Sequence, residues 1–300
     1  MTAFALQAVP ENAAEWLATA RRAEEAGFDT LLSADHPGAC TAPHVALAAA
    51  AAVTSRIRLG AYVVNAGVRE PMLLATDVAT LDLISGGRAI LGIGAGHTPA
   101  EWAAVGLTRP DVRGRVDRCI AVAEATRRLL AGEEVTVDSP VLRMTGAVLK
   151  KPRPVQERVP LLFGGGNTRL LRWAAENADI IGLGGMGKTR PDGHQHDVRW
   201  QLDEIDEQVE PLRGKTLEAL VQHFAVTDDP ATELKEFTDY TGMSVDELRQ
   251  IPYVLVGTIE EIAGQIRENE RRWGITRYAL RRPALEHVAD LIAALGAGQS

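Results

Sequence analysis

The chain has 300 residues, of which 46% are hydrophobic and 24% charged, and its formal net charge is −8. This acidic balance argues against a nucleic-acid interface and a polybasic membrane patch, because both need a basic surface. No apolar run approaches the roughly 20 residues that cross a bilayer, and the first residues lack the pattern of a signal peptide, so we expect a cytoplasmic protein. Cys40 and Cys119 have no metal-binding or CxxC spacing, and we expect them to be reduced thiols.

Apolar runs of strand length alternate with helical patterns along most of the chain. The first part predicts strand 4–9, helix 13–26, strand 28–34, helix 43–54, strand 57–64, helix 71–84, strand 88–93 and helix 111–130. A Pro- and Gly-rich stretch at 131–159 interrupts the alternation, and we interpret it as an insertion. The rest predicts strand 160–163, helix 168–177, strand 179–183, helix 196–212, strand 217–226, a second insertion at 228–256, helix 259–273, strand 277–280 and helix 284–295.

This order of elements contains eight βα units. Strands that alternate with helices favour right-handed crossovers and a parallel sheet. We therefore predict an α/β fold with one domain over residues 1–300, a (β/α)8 TIM barrel with insertions after the fourth and seventh βα units. The competing fold is an open doubly wound sheet. It seldom needs eight units, and its glycine fingerprint is missing from the first βα turn at 9–12.

Polar residues follow the predicted strands at the end where a parallel barrel carries its functional groups. The second strand ends with Asp35 and His36. The histidine could move a proton near neutral pH or hydrogen-bond a ligand ring; alternatively, Asp35 caps the following loop and His36 bonds to it. The fourth strand ends in GIGAG and is followed by His97, which either points into the mouth of the barrel or is a solvated loop histidine.

A glycine run leads from the fifth predicted strand directly into a helix that Asn167 or Thr168 would cap. The run consists of Gly164, Gly165 and Gly166. Glycines before a helix amino terminus present free N–H groups and the positive end of the helix dipole to an anion. The alternative is a tight connection without a ligand. Because the sixth strand is followed by another glycine-rich loop, which includes Gly184 and a lysine, we predict a phosphate site here.

The chain lacks the HExxH, GxSxG and P-loop motifs. Their absence disfavours zinc-dependent hydrolysis and serine-type acyl transfer. His194 and His196 lie in a polar loop that we interpret as solvated, since a metal there would need a third convergent ligand. We therefore predict no metal site.

Three segments resemble the luciferase-like family of flavin and deazaflavin barrel enzymes. They are residues 54–96, in which ATLDLISGGRAILGIGAG is the most specific stretch, and the runs EEAGFDTLLSADH and VPLLFGGGNTRLLRWAAENADIIGLGG. Within the family, the chain is more similar to the branch that uses the 8-hydroxy-5-deazaflavin coenzyme F420 than to the luciferases.

The resemblance implies a role for each matched residue. Asp35 and His36 would lie beside the tricyclic ring of the cofactor. Tyr62 and Val63 would form a bulge behind the ring, and a non-prolyl cis peptide is predicted between them. The glycine run and Asn167 would bind the cofactor phosphate.

His97 occupies a place where some relatives carry a glutamate that donates a proton. We predict a coenzyme F420-dependent oxidoreductase that moves a hydride between C5 of the deazaflavin and a small organic substrate, with His36 and His97 managing the proton. One alternative is a flavin mononucleotide (FMN)-dependent monooxygenase supplied with reduced flavin by a separate reductase. Another is a flavin-binding barrel without catalytic activity.

Helix 43–54 is alanine-rich around its whole circumference. A helix that is apolar on all sides should be covered on both faces, whereas the barrel covers only one. We therefore predict a homodimer through the helices that follow the second and third strands. The alternative is an outer helix that tolerates exposed alanine because of its high helix propensity.

Overall fold

A computed structural model describes residues 2–189 and 196–297. Its strands are β1 (Ala3–Gln7), β2 (Thr30–Ser33), β3 (Arg58–Ala61), β4 (Val64–Asn65), β5 (Ala89–Gly94), β6 (Val135–Asp138), β7 (Arg143–Ala147), β8 (Leu161–Gly164), β9 (Ile180–Leu183), β10 (Met186–Thr189), β11 (His196–Val198), β12 (Leu217–Leu220), β13 (His223–Val226), β14 (Val254–Gly257) and β15 (Ile275–Leu280). Its helices are α1 (Ala13–Ala26), α2 (Pro43–Ala51), α3 (Pro71–Ser85), α4 (Pro99–Ala104), α5 (Val112–Leu130), α6 (Thr168–Asn177), α7 (Leu202–Val209), α8 (Pro230–Glu233), α9 (Lys235–Thr241), α10 (Val245–Leu248), α11 (Ile259–Trp273) and α12 (Val288–Ala297).

Eight parallel strands close into a barrel, which confirms the predicted fold. Their order is β3, β2, β1, β15, β12, β9, β8 and β5, and pairing of β3 with β5 closes the ring. The helices after the strands cover the outside of the barrel. None of the helices among the described residues is both long and apolar enough to span a bilayer.

Side chains alternate between the barrel lumen and the helix layer along each strand, as the pleat requires. One buried cluster fills the lumen: Ala5, Leu32, Tyr62, Ile90, Leu162, Leu220 and Ala279. The adjacent strand residues, such as Leu6, Leu31 and Leu91, pack outward against the helices. Because both faces are buried, the strands are apolar throughout, which is why their periodicity was weak but their length was informative.

Both predicted insertions are present. The first is the antiparallel hairpin β6–β7 between α5 and β8. The second lies inside the seventh unit, between its strand β12 and its helix α11, and contains α8, α9, α10 and the parallel pair β13–β14.

The predicted helix at 196–212 is wrong in its first part. Residues 196–198 instead form β11, which pairs antiparallel with β10, and α7 begins at Leu202. Pairing with the strand that follows Gly184 therefore outweighs the local helical pattern. The polar loop with His194 lies outside the described residues.

The outward faces of α2 and α3 carry exposed apolar side chains. Val45 on α2 is 73% exposed and Leu73 on α3 is 67% exposed, and Leu83 and Ile84 at the end of α3 are also exposed. The two helices pack against each other, so these side chains belong to one side of the barrel. Exposed apolar surface of this kind is typical of an interface, and the homodimer stays a prediction.

If this face joins two chains, a carboxylate placed in it should separate them. We expect the parent protein to have the mass of two chains by light scattering at micromolar concentration, and the Val45→Glu, Leu73→Glu double variant to have the mass of one. Tyr240→Glu is the control, since Tyr240 is 49% exposed on α9, in the second insertion. A monomeric parent would refute the prediction.

A buried carboxylate lies at the amino-terminal end of the lumen. Glu218 is fully buried, and its Oε2 accepts a hydrogen bond of 3.2 Å from Nε of Arg277. Asp29 contacts the same guanidinium more closely, with an Nη1–Oδ2 distance of 2.7 Å. Burial therefore raises the pKa of Glu218 to about 7, a shift that Arg277 opposes and the nearby Asp29 reinforces.

Glu218 should make the protein less stable as pH rises. Between its ordinary pKa of 4.5 and its folded pKa of about 7, the unfolded chain loses the proton that the folded chain keeps, at a cost on the order of 3 kcal/mol. Replacing Glu218 with Gln should remove this loss, so that the variant gains free energy of unfolding relative to the parent between pH 5 and pH 8. Urea denaturation at pH 5 and pH 8 measures the free energy of unfolding, and Glu260→Gln, at an exposed position, is the control. An equal pH dependence of this free energy in the Glu218→Gln variant and the parent would contradict the prediction.

Candidate active site

A β-bulge shapes the mouth of the barrel. Gly60 pairs with Ile90, and Val64 pairs with Ile93, so three residues on one side face two on the other. The bulge contains the predicted cis peptide between Tyr62 and Val63. Only a glycine fits opposite it, because a β-carbon on Gly92 would lie 1.7 Å from the carbonyl oxygen of Ala61.

The Val63 side chain lies between the glycines that end the fourth and fifth barrel strands. A β-carbon added to Gly94 would lie 2.5 Å from one Val63 methyl group, and a β-carbon added to Gly164 would lie 2.9 Å from the other. Val63 therefore forms an apolar floor across two strand ends. Its position behind a flat ring stays a prediction.

Tyr62 points down into the lumen rather than toward the mouth. A β-carbon on Gly182 would lie 2.1 Å from the Tyr62 hydroxyl oxygen. Burial raises the pKa of Tyr62 well above its ordinary value, so the phenol stays neutral. The Tyr62 carbonyl accepts a hydrogen bond of 3.0 Å from Nε2 of Gln7. Any contact of Tyr62 with a ligand would therefore involve its backbone.

His36 forms a pair with Glu101, a residue that the sequence analysis did not select. The distance between Nδ1 of His36 and Oε1 of Glu101 is 2.6 Å. Glu101 lies on α4, just beyond His97, and only 5% of it is exposed. A carboxylate is thus present in the site even though His97 stands where some relatives were expected to carry one.

The second oxygen of Glu101 is also held. Nδ2 of Asn65 donates to Oε2 at 2.6 Å. The Oδ1 of the same amide accepts from the Gly67 amide at 2.8 Å, and the Trp102 ring packs so closely on Gly67 that a β-carbon there would lie 1.9 Å away. The carboxylate therefore has a fixed orientation.

The pair shifts the pKa values of both partners. The hydrogen bond with Glu101 raises the pKa of His36, while burial opposes the rise. Burial alone would raise the pKa of Glu101, but its hydrogen bonds with His36 and Asn65 outweigh burial and lower it. The arrangement thus favours an imidazolium beside a carboxylate.

Asp35 is buried and neutralised by Arg69. Nη2 of Arg69 lies 2.6 Å from Oδ1 and Nε lies 3.1 Å from Oδ2, which is a bidentate ion pair. Oδ2 also accepts from the Asn65 amide at 3.2 Å. Asp35 therefore holds the loop after the bulge in place, and the bond of His36 goes to Glu101 and not to Asp35.

His97 lies beside His36. Their ring centroids are 5.5 Å apart and the ring planes meet at 76°. The structure thus brings together both predicted catalytic histidines at the carboxyl ends of the second and fourth barrel strands.

The glycine turn lies at the mouth as predicted. The side chain of Asn167 caps α6, its Oδ1 accepting from the amides of Arg169 at 3.0 Å and Leu170 at 3.3 Å. Within the described ranges, the amides of Gly166 and Thr168 donate to no other group of the chain. These partly exposed amides at a helix amino terminus fit a phosphate, whereas the Asn167 side chain is occupied by capping.

Gly184 and Gly165 complete the predicted set. The Gly165 amide donates to the Gly182 carbonyl at 3.3 Å, so this amide is part of the hydrogen bonding between two barrel strands. At Gly184 a β-carbon would meet only ordinary contacts, with no atom nearer than 3.8 Å. Gly184 is only partly buried, and the apolar floor of Val63 and the adjacent amides suit a flat ring with a phosphate. No group of side chains among the described residues could hold a metal ion.

Comparison with known proteins gives consistent relatives. A family model described as luciferase-like monooxygenase matches residues 2–236. The F420-dependent glucose-6-phosphate dehydrogenase of Kineococcus radiotolerans is 33% identical over 166 residues, which cover 53% of this chain and 48% of that protein. The chain matches its curated relatives over about half of their length.

Two solved structures have the same fold over nearly their whole length. The coenzyme F420-dependent tetrahydromethanopterin reductase of Methanopyrus kandleri superposes with a TM-score of 0.76 at 19% identity, covering 97% of both chains. The monooxygenase RslO1 of Streptomyces bottropensis has a TM-score of 0.74 at 22% identity, covering 99% of this chain and 98% of that chain.

Replacing Glu101 with Gln should lower the pKa of His36, because the hydrogen bond to the carboxylate is the largest cause of its rise. NMR titration of the imidazole C–H signals measures this pKa. Asp77→Asn is the matched control, since Asp77 lies 3.7 Å from Nδ1 of His44 on the outer helices. It should leave the pKa of His36 unchanged. An equal pKa of His36 in the parent and the Glu101→Gln variant would contradict the assignment.

Proposed function

Since the chain belongs to the luciferase-like monooxygenase family, we propose that it is a cytoplasmic, coenzyme F420-dependent oxidoreductase acting on a small organic substrate. When bound, the deazaflavin supplies C5, a carbon that accepts or donates a hydride. The single observation that carries the proposal is the contact of His36 with Glu101 at the mouth of the barrel.

The pair suits a substrate that exchanges a proton together with a hydride, such as an alcohol and its carbonyl form. Because Glu101 accepts from Nδ1 of His36, the neutral imidazole has its lone pair on Nε2. That nitrogen can then take a proton from a substrate hydroxyl and return it in the reverse direction. Glu101 stabilises the resulting imidazolium.

The remaining residues position the ligand. Val63 supports the back of the ring, and the glycine ends of the fourth and fifth strands allow close approach of the ring to the backbone. The amides of Gly166 and Thr168 would bind the phosphate. His97 borders the same space from the fourth strand and would contact the ring or the substrate.

The relatives support this choice of cofactor without excluding FMN. The Kineococcus and Methanopyrus proteins are F420-dependent by name, whereas RslO1 is a monooxygenase with an equally similar fold. The second candidate is therefore an FMN-dependent monooxygenase that receives reduced flavin from a separate reductase. The fixed His36–Glu101 pair disfavours a barrel that only sequesters flavin.

Cofactor titration separates these functions. We expect the purified protein to quench the fluorescence of coenzyme F420 on binding and to bind FMN more weakly. Binding of FMN alone, with oxygen consumption once the flavin is reduced, would replace the proposal by the monooxygenase. Binding of either cofactor without turnover of any alcohol or carbonyl would favour the non-catalytic barrel.

Single variants then test the proton role. His36→Ala should bind coenzyme F420 nearly as well as the parent but turn over about 10²- to 10⁴-fold more slowly, the usual contribution of general acid–base catalysis. His97→Ala should have a smaller effect, because the Glu101 contact that orients a ring belongs to His36. His44→Gln is the control histidine, since His44 lies on α2 and contacts Asp77 rather than Glu101. Parent-like turnover by His36→Ala would remove the assigned role.

A further inference from the structure

Two arginines at the start of α5 have no acidic partner. Arg109 lies in the loop between α4 and α5, and its Nε is completely buried without an acceptor among the described residues. Nη1 of Arg115 donates to the Pro110 carbonyl at 2.9 Å. This bond brings the second guanidinium to the residue next to Arg109. Throughout the described ranges, neither arginine forms an ion pair with a carboxylate.

The two charges act on each other. Burial lowers the pKa of Arg115, and the positive charge of Arg109 lowers it further, while Asp111 opposes both. The Asp111 carboxylate is itself occupied, since its Oδ1 accepts from the Gly114 amide at 2.7 Å and caps α5. Two half-buried like charges with an orphaned N–H are unfavourable in the absence of an anion.

Other arginines of the same helix differ in this respect. Arg113 faces Asp117 at 4.0 Å, and Arg118 lies 2.8 Å from Glu70. Arg109 and Arg115 therefore differ from these two neighbours, although carboxylates outnumber cations in the sequence.

The arginine pair lies at the rim of the barrel mouth. Arg115 shares a helix face with Cys119 and Val122, which are buried against the barrel. Since α5 belongs to the fourth βα unit, its first turn lies at the mouth. One turn further along, Nε of Arg118 donates to the Gly67 carbonyl at 3.0 Å, and Gly67 packs on the tryptophan next to Glu101.

The glycine turn, where we predict a phosphate site, adjoins the same part of α5. Arg169, in the first turn of α6, lies 2.5 Å from Asp117. The arginine pair thus lies in the loop before α5 and in its first turn, between the His36–Glu101 pair and the predicted phosphate site. Guanidinium groups present paired N–H donors that match the oxygens of carboxylate and phosphate.

We propose that Arg109 and Arg115 form a second anion site at the mouth, which holds a carboxylate or phosphate group of a bound ligand. The group belongs either to the chain of carboxylates that coenzyme F420 carries beyond its phosphate or to an acidic substrate. The identity of the ligand rests on the proposed function, whereas the site itself follows from the unpaired guanidiniums.

Binding measurements on Arg109→Gln, Arg115→Gln and the double variant test the site, with Arg113→Gln as control. In the first arm, fluorescence titration compares coenzyme F420 with the same deazaflavin carrying only its ribityl chain. If the coenzyme supplies the anion, the double variant binds coenzyme F420 about tenfold more weakly, with a shallower salt dependence. It binds the ribityl compound as the parent does, and Arg113→Gln matches the parent in both titrations.

In the second arm, inorganic phosphate is titrated calorimetrically into protein already saturated with coenzyme F420. If the substrate supplies the anion, the loaded parent binds phosphate and the double variant binds it about tenfold more weakly. Parent-like binding by the double variant in both arms overturns the proposal.

Two further outcomes are distinguishable. If the parent binds FMN and not coenzyme F420, the proposed function fails, and phosphate titration of the FMN-loaded parent and double variant still decides whether the arginines bind an anion. The melting temperature of Arg109→Gln should equal or exceed that of the parent, because the variant loses an unpaired buried N–H and a like charge. A lower melting temperature with unchanged ligand binding would show a structural role and overturn the proposal.

Discussion

At the mouth of the barrel, the bulge after the third strand occupies space that β-carbons of the next strands would otherwise fill. Four inward positions meet this constraint: Gly92, Gly94, Gly164 and Gly182. A β-carbon added to any of these glycines would lie closer than van der Waals distance to an atom of the bulge. None of the four positions therefore tolerates a side chain without movement of the backbone or of a packed side chain. The apolar floor formed by Val63 exists because these glycines stand opposite it.

The His36–Glu101 pair depends on the same bulge through Asn65. This residue follows the bulge directly, and its amide donates to Glu101 while its backbone donates to Asp35. Gly96 has a φ of +69°, and a β-carbon there would lie 1.8 Å from the Asn65 side chain. Gly92 and Gly94 thus allow the bulge to approach the fourth strand, and Gly96 leaves room for the Asn65 side chain that holds Glu101. A shift of the bulge would displace Glu101 and with it His36.

The fold could be predicted because strand length, helix periodicity and glycine punctuation repeat eight times. His36, His97 and the glycine turn were also predictable, since each directly follows a strand. Glu101 was not, because its contact with His36 joins a loop and a short helix that are 65 residues apart. Its local signal, Thr98 three residues before a glutamate just after a strand end, is typical of a helix cap. Likewise, the pairing of β10 with β11 at 196–198 overrides a local helical pattern.

The two carboxylates near His36 have different consequences for proton transfer. Asp35 is matched by both arms of the Arg69 guanidinium, so its charge acts on His36 only as a secondary cause of the raised pKa. Glu101 has neutral Asn65 on one side and His36 on the other, and its charge is therefore balanced only when His36 carries a proton. Protonation of this single imidazole changes the net charge of the buried cluster from negative to neutral. The cluster thereby couples one proton to one position, as the proposed oxidoreductase function requires of a group that exchanges a proton with its substrate.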